Sequence, residues 1–265
     1  MYRSVPDLWV EEEYTRADRM KKRILVTLIA LLMLASVIAA GCTVNITNTP
    51  SPTLRSPLSS TSTTSSVASR PGTVHLLAVR QVDFSQYKGV VTDVIVTMAP
   101  GTGQVFVNTV PLTGYDFQET ARTAVNVAAA RAHINPNKYD FGFTIRGPME
   151  LQVVDGPSAG LPMTVAAYSA MINKPVNLNI YSTGEISLDG SVGTVGAVYE
   201  KSLAAAQNGA KFVLLPKSET TVQIISDGLV TNSRTVSVQE ELGKLYNVTV
   251  VGVTNVDEAL PYYFS

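Results

Sequence analysis

The chain has 265 residues, 45% of them hydrophobic and 15% charged, which is enough to build one or two domains with a real core. A formal net charge of −1 gives no electrostatic basis for nucleic-acid binding. With one cysteine, Cys42, and two histidines, His75 and His133, an intrachain disulfide is excluded and a His/Cys metal site is disfavoured.

The leader, residues 1–23, carries the acidic stretch "DLWVEEEY" and then Arg16, Arg19, Lys21, Lys22 and Arg23. The uncharged run "ILVTLIALLMLASVIAAG" follows, close to the lower limit of the roughly 17–25 residues that a membrane span needs. Because the run is apolar on every face, residues 24–42 are expected to be a membrane anchor and not a buried core helix. The basic flank predicts a cytoplasmic leader and puts everything after the anchor outside. Read from Met20, the segment also resembles a bacterial-type lipoprotein signal ending on Cys42, with Ala39 where that pattern usually has a larger aliphatic residue. The long leader favours an uncleaved anchor, and the lipoprotein reading stays open. Residues 43–71 are mostly Ser, Thr and Pro, with too little apolar surface to offset the entropy of ordering them, and are expected to be a tether.

From residue 72 the pattern changes to short alternating elements. "TVHLLAV" (73–79), "GVVTDVIVTM" (89–98) and "GQVFVNTV" (103–110) are β-rich and separated by turn residues, which predicts an antiparallel sheet at the start. In residues 116–134, Phe117, Ala121, Ala124, Val125 and Ala128 recur at helical spacing. Strands are expected over 139–147 and 149–154. A helix should then run from Ser158 to Ile172 with Leu161, Val165, Tyr168 and Ile172 on its buried face. Strand alternation around Gly184 with an Asp-Gly turn at 189–190, a helix over 198–210 ending at Gly209, and strands at 211–216 and 247–253 follow, with a last helix at 255–264. The expected fold class is α/β, a single domain of mixed strands and helices over residues 72–265.

Within that frame the stretch "VVDGPSAGLPM" (153–163) stands out. Serine is a preferred helix cap, so Ser158 has an ordinary structural explanation. Its setting allows another: Asp155-Gly156-Pro157 forces a tight turn that delivers the hydroxyl and unpaired backbone N–H groups to one point, where they and the helix dipole can stabilise an oxyanion. A serine nucleophile needs a base. His75 and His133 lack a local acidic partner and read as structural. A buried lysine is the other common base, and Lys201 lies on the less polar side of its helix.

"DGPSAG" (155–160), "STGEISLDGSVGTVGAVYEKSLAAAQNGAKFVLLPKSE" (182–219) and "VTNVDEAL" (253–260) are similar to the proteolytic domain of the Lon family of Ser-Lys proteases. The resemblance implies a serine endopeptidase acting on polypeptides, with Ser158 as nucleophile and Lys201 as general base. It implies that the Thr183 hydroxyl positions the lysine, and that the backbone of Ser158 and of the Asp155-Gly156-Pro157 turn forms the oxyanion hole. No cofactor is implied, and a homo-oligomeric ring follows by family analogy. Two departures stand out: Pro162 removes an N–H that would bond back toward Ser158, and Ala197 replaces a more usual glycine. Lon proteases usually carry an ATPase, but no GxxxxGK[ST] pattern occurs in this sequence, and "APGTGQ" (99–104) lacks the lysine and following hydroxyl. The expectation is therefore a membrane-tethered, ATP-independent protease facing outside the cytoplasm. The alternative is a catalytically inactive Lon-like domain used for binding or assembly at the cell surface.

Overall fold

The computed structural model describes residues 69–83, 86–108, 112–148, 153–226 and 232–265, in the unit Thr64–Ser265. The expected anchor at 24–42 and almost all of the 43–71 tether lie outside the described residues. Among the described residues no helix is long and apolar enough to cross a membrane.

A seven-stranded sheet runs in the order β13 (Thr249–Val253), β10 (Phe212–Pro216), β7 (Ile180–Ser182), β1 (Gly72–Asp83), β2 (Gln86–Pro100), β5 (Tyr139–Arg146) and β3 (Val105–Val107). From β13 to β1 every pairing is parallel, β1–β2 and β2–β5 are antiparallel, and β3 runs parallel to β5. The opening antiparallel pair is therefore as expected, but the third β-rich run does not extend it. Loop 101–104 carries the chain past β5 because the backbone N–H groups of Thr102 and Gln104 both donate to the Asp140 carboxylate at 2.8 Å. Those two bonds hold the Asp140 carboxyl below the usual carboxylate range. They also occupy the amides of the "APGTGQ" loop with a carboxylate of the chain itself.

Helices cover both faces of the sheet. On one side lie α1 (Tyr115–Ala132), α2 (Gly160–Ile172) and α5 (Val256–Phe264), packed on Val74, Leu76, Val94, Val96 and Leu214. On the other lie α3 (Val198–Gln207) and α4 (Val238–Tyr246), packed on Leu77, Tyr181, Val213 and Leu215. Successive strand residues point to opposite faces, so Leu76 and Leu77 serve different cores, as do Leu214 and Leu215. The stripe predicted for α1 is buried throughout. For α2 the expected face is half right. Leu161 and Val165 are fully buried, whereas Tyr168 and Ile172 are half-buried and every residue from Gly160 to Ala167 is buried. The reason is that α2 is covered on several sides at once, by β1 and β2, by α1 and by α5. A Cβ on Gly72 would lie 1.9 Å from the Ala166 carbonyl oxygen, which shows how tightly β1 is pressed on this helix.

Of the expected 149–154 strand, the described part is β6 (Val153–Val154), paired parallel with β4 (Leu112–Thr113). The Asp-Gly turn joins β8 (Glu185–Ile186) to β9 (Val192–Gly193), with Gly190 at a φ of 91° that favours glycine. For residues 217–246 the sequence reading assigns no elements. They form the turn Lys217–Glu219, a hairpin of β11 (Thr221–Ser226) with β12 (Asn232–Ser237), and α4. Arg234 on the hairpin binds both Glu241 oxygens on α4, at 2.9 and 3.2 Å, and Tyr199 on α3 donates to the same carboxylate at 2.9 Å. The hairpin, α4 and the lysine helix itself are thus tied to one another.

The approach of α3 to β2 depends on Gly89, where a Cβ would lie 2.0 Å from the Glu200 carbonyl oxygen and 2.7 Å from the Ala204 Cβ. Gly89→Ala should therefore destabilise the fold by about 1–3 kcal/mol, as overpacking does. Gly196→Ala, where a Cβ meets nothing within 4 Å, should change stability by less than about 0.5 kcal/mol. Denaturant midpoints of the two variants check this, and equal stability would contradict the close approach.

Candidate active site

The segment that carries Ser158 leaves β6 through Asp155 and Gly156. Gly156 has a φ of 104°, open to glycine and strained for any residue with a Cβ, although nothing lies within 4 Å of one. Pro157 then begins the short 3-10 turn Pro157–Ala159, which leads into α2. Proline contributes no N–H, so Pro157 itself offers no backbone donor at this turn.

Asp155 is used for anchoring. Its Oδ1 accepts the Phe117 N–H at 3.1 Å, in the first turn of α1, whose own cap, Gly114, has no side chain to offer. A Cβ at Gly114 would sit 2.0 Å from the same carboxylate. The first long helix is therefore capped from 38 positions away by the residue that opens the serine turn.

Pro162 has a structural counterpart. In a regular helix an N–H at position 162 would bond back to the Ser158 carbonyl. That carbonyl instead accepts the Thr183 hydroxyl at 3.1 Å and the Gly184 N–H at 3.1 Å, and the Leu161 N–H returns to the Gly184 carbonyl at 2.9 Å. Thr183 is fully buried, and its hydroxyl is directed to the serine's own turn. Residues 183 and 184, just past β7, are thus clamped to the serine turn by three hydrogen bonds.

Lys201 comes from the other side of the sheet. Its helix, α3, starts after Ala197, which holds the left-handed conformation (φ 55°, ψ 43°). A glycine, expected at this position from the resemblance, would adopt this left-handed geometry without the strain that the Ala197 Cβ brings. Lys201 is 4% exposed. Burial pushes its ammonium down to about 8, against the opposing pull of the Glu219 and Glu200 carboxylates.

Ser158 and Lys201 both line one cavity of about 780 Å³. Asp155, Gly156, Pro157 and Ser158 form one wall, Leu76–Val79 of β1 another, and Thr194–Ala197 with Glu200 and Lys201 the third. Ser158 is half-buried, and among the described residues no hydrogen bond joins its hydroxyl to the Lys201 amine. Such an arrangement places a hydroxyl and an amine that readily gives up its proton on one solvent-reached cleft.

His75 and His133 lie elsewhere. His75 has no acidic neighbour along the chain, but the β1–β2 register sets it opposite Asp93, with Nδ1 2.7 Å from Oδ1. Its ring also stacks on Tyr181 with centroids 4.4 Å apart. It lines a separate cavity with Arg146 and Thr92, and His133 ends α1 in a left-handed cap. Glu219 is the site residue to which the sequence assigned no part. Its Oε2 accepts the Val195 N–H at 2.8 Å, which connects the turn after β10 to the cavity wall. Among the described residues no cluster of three or more His, Cys, Asp or Glu side chains is placed to hold a metal ion.

Residues 65–251 match the family described as the Lon protease (S16) C-terminal proteolytic domain. The chain is 32% identical over 203 residues to the Lon protease of Metamycoplasma arthritidis, covering 74% of this chain and 22% of that protein. It is 36% identical over 146 residues to Lon protease 1 of Thermus thermophilus, covering 53% and 18% respectively. With the Lon protease of Escherichia coli (strain K12) it shares 36% identity over 122 residues, covering 44% and 16%. The chain thus spans about a fifth of the length of these relatives.

A folded-state value below the unfolded 10.5 means that the unfolded chain binds the extra proton between about pH 8 and 10.5. Stability therefore rises with pH across that window, and the penalty of burying the ammonium is complete below it. At about 1.4 kcal/mol per pKa unit the penalty is roughly 3 kcal/mol. Lys201→Met should raise the unfolding free energy at pH 7 by up to about 3 kcal/mol, with the gain shrinking to nothing near pH 10.5. Urea titrations at several pH values measure it, and a loss of stability at pH 7 would contradict a buried ammonium.

Proposed function

The chain belongs to the Lon protease (S16) family through that family's C-terminal proteolytic domain, and on that premise we propose that it is an endopeptidase in which Ser158 is the nucleophile and Lys201 the general base. The observation that carries this reading is the common cavity: a half-buried serine and an almost wholly buried lysine, from helices on opposite sides of the sheet, line one cleft. Burial that lowers the ammonium to about 8 leaves an appreciable neutral fraction near neutral pH, which a surface lysine would lack.

In the proposed reaction the Ser158 hydroxyl attacks the peptide carbonyl while the neutral Lys201 amine takes its proton. The oxyanion is met by the backbone N–H groups of Gly156 and Ser158, and by the positive end of α2. Lys201 then gives the proton to the leaving amine, and water hydrolyses the acyl-enzyme by the same route in reverse. Thr183 and Gly184 keep the serine turn in register through the Ser158 carbonyl. Asp155 fixes its other end on α1.

Substrates are polypeptides in an extended form, taken from unfolded chains or exposed loops. A domain stable by roughly 5–15 kcal/mol opens too rarely to be cut quickly. The sequence carries no phosphate-binding loop, so we infer that hydrolysis by this chain is independent of ATP. We also infer that residues 24–42 tether it to the membrane, with 43–71 as a flexible spacer and the proteolytic domain over 72–265 outside the cytoplasm. Assembly into a homo-oligomeric ring belongs to the same proposal.

Hydrolysis of fluorescently labelled casein by the full chain, without ATP, tests the central reading. Ser158→Ala and Lys201→Arg should each abolish turnover, since one removes the nucleophile and the other installs a cation that does not deprotonate. The wild-type rate should rise with pH along a limb centred near the lysine's value of about 8. Turnover that survives Ser158→Ala would instead favour the reading of a non-catalytic binding module with a contaminating protease. For the tether, cell fractionation should find the protein with membranes. Loss of that attachment in Cys42→Ser selects the lipoprotein anchor, retention selects the uncleaved helix, and a wild-type protein found free of membranes contradicts both.

A further inference from the structure

Two carboxylates act on Lys201, and they come from different elements. Glu200 is its neighbour on α3, where the helix fixes it beside the lysine backbone. Glu219 arrives from the turn Lys217–Glu219 after β10 and is held in place by a 2.8 Å hydrogen bond from the Val195 N–H. Val195 belongs to the stretch Thr194–Ala197 that walls the cavity and runs directly into α3. One side chain therefore touches the wall and also acts on the lysine through space. The remaining titratable groups on the cavity are Asp155, from the serine turn and engaged with Phe117, and Tyr87, from β2.

We propose that Glu219 is a positioning residue for this reaction, holding the 194–197 wall against the lysine helix through Val195 and presenting a fixed negative charge to the Lys201 amine. The proposal rests on the reading of Ser158 and Lys201 as the reacting pair. Two further observations support it. The wall it holds ends on Ala197, a left-handed residue with a Cβ, so the start of α3 is strained and gains from an external tie. In addition, burial holds the Glu219 carboxyl above the usual carboxylate range, while the Val195 bond and the Lys201 charge pull it back down.

The charge has a direction of effect. Burial drives Lys201 toward the neutral amine, and Glu219 is the larger of the two carboxylate influences that restore the ammonium. Taking the charge away while keeping an acceptor for Val195 should leave the wall in place and free the amine at lower pH. Glu219→Gln does this, because its amide carbonyl can accept the same N–H.

The test is the pH dependence of kcat/KM for casein hydrolysis by the full chain, in wild type, Glu219→Gln and Glu219→Ala. Thermal melting of each variant, and Ser158→Ala as background, accompany it. Glu219→Gln should melt near the wild type and move the limb on which activity rises to lower pH by about half to one pH unit. Glu219→Ala should move it in the same direction and also lower kcat several-fold, because the Val195 N–H loses its partner. A limb that stays in place in both variants, with or without a lower kcat, overturns the proposal and leaves Glu219 a structural residue only. Hydrolysis that persists in Ser158→Ala overturns the parent reading, and this proposal with it.

Discussion

An ammonium removed from water is held at a disadvantage unless something compensates it, and the region around Lys201 is arranged about that imbalance. The side chain is buried by α3 lying close on β2, an approach that Gly89 permits and that any larger residue there would prevent. Two carboxylates act on it from a distance, strongly enough to oppose the burial and too weakly to cancel it, so the amine sits between the water value and a fully neutral state. A lysine left in solvent would be nearly all ammonium at neutral pH, and one fully paired would be more so. Burial, only partly offset, is what leaves Lys201 a neutral fraction for the base role proposed for it.

The serine side of the cleft is built by different means. Its turn is fixed by backbone and carboxylate bonds at both ends: Asp155 reaches α1, and the Ser158 carbonyl takes two donors from residues 183 and 184. Pro162 fits this arrangement. By withholding the helical N–H it leaves the Ser158 carbonyl to those two donors, and the bond count at that oxygen is restored from β7's continuation. The lysine is set by burial and the serine by hydrogen bonding. Both line one cavity, walled on a third side by Leu76–Val79 of β1. The part of the chain that matches these relatives covers about a fifth of their length, so the proteolytic domain is the shared part.

What the sequence discloses here depends on how local the physical signal is. The α1 stripe reads cleanly because that helix buries one face, and the Phe117–Ala128 spacing records it. For α2 the same reasoning selects Tyr168 and Ile172, which are half-buried, because a helix covered on several sides has no single stripe to find. In the 221–237 hairpin, exposure alternates along residues 221–224, but no side chain in that run is fully buried, so the sequence reading assigns it no strand. Short motifs singled out Ser158 and Lys201, and both line one cavity. The contacts around them were not legible. Asp155 with Phe117, Glu219 with Val195 and His75 with Asp93 are pairs made by tertiary contact, and spacing along the chain carries no mark of them.

The claim on which the account turns is that a buried amine at Lys201 activates Ser158. The most direct measurement is the rate at which an excess of a small serine-directed electrophile, such as a fluorophosphonate, labels the protein as a function of pH, with the modified residue located by mass spectrometry. The account predicts a label on Ser158 alone, acquired along a single titration near pH 8 and absent in Lys201→Met. A label on another residue, or a Ser158 rate that is independent of pH or unaffected by Lys201→Met, would contradict it.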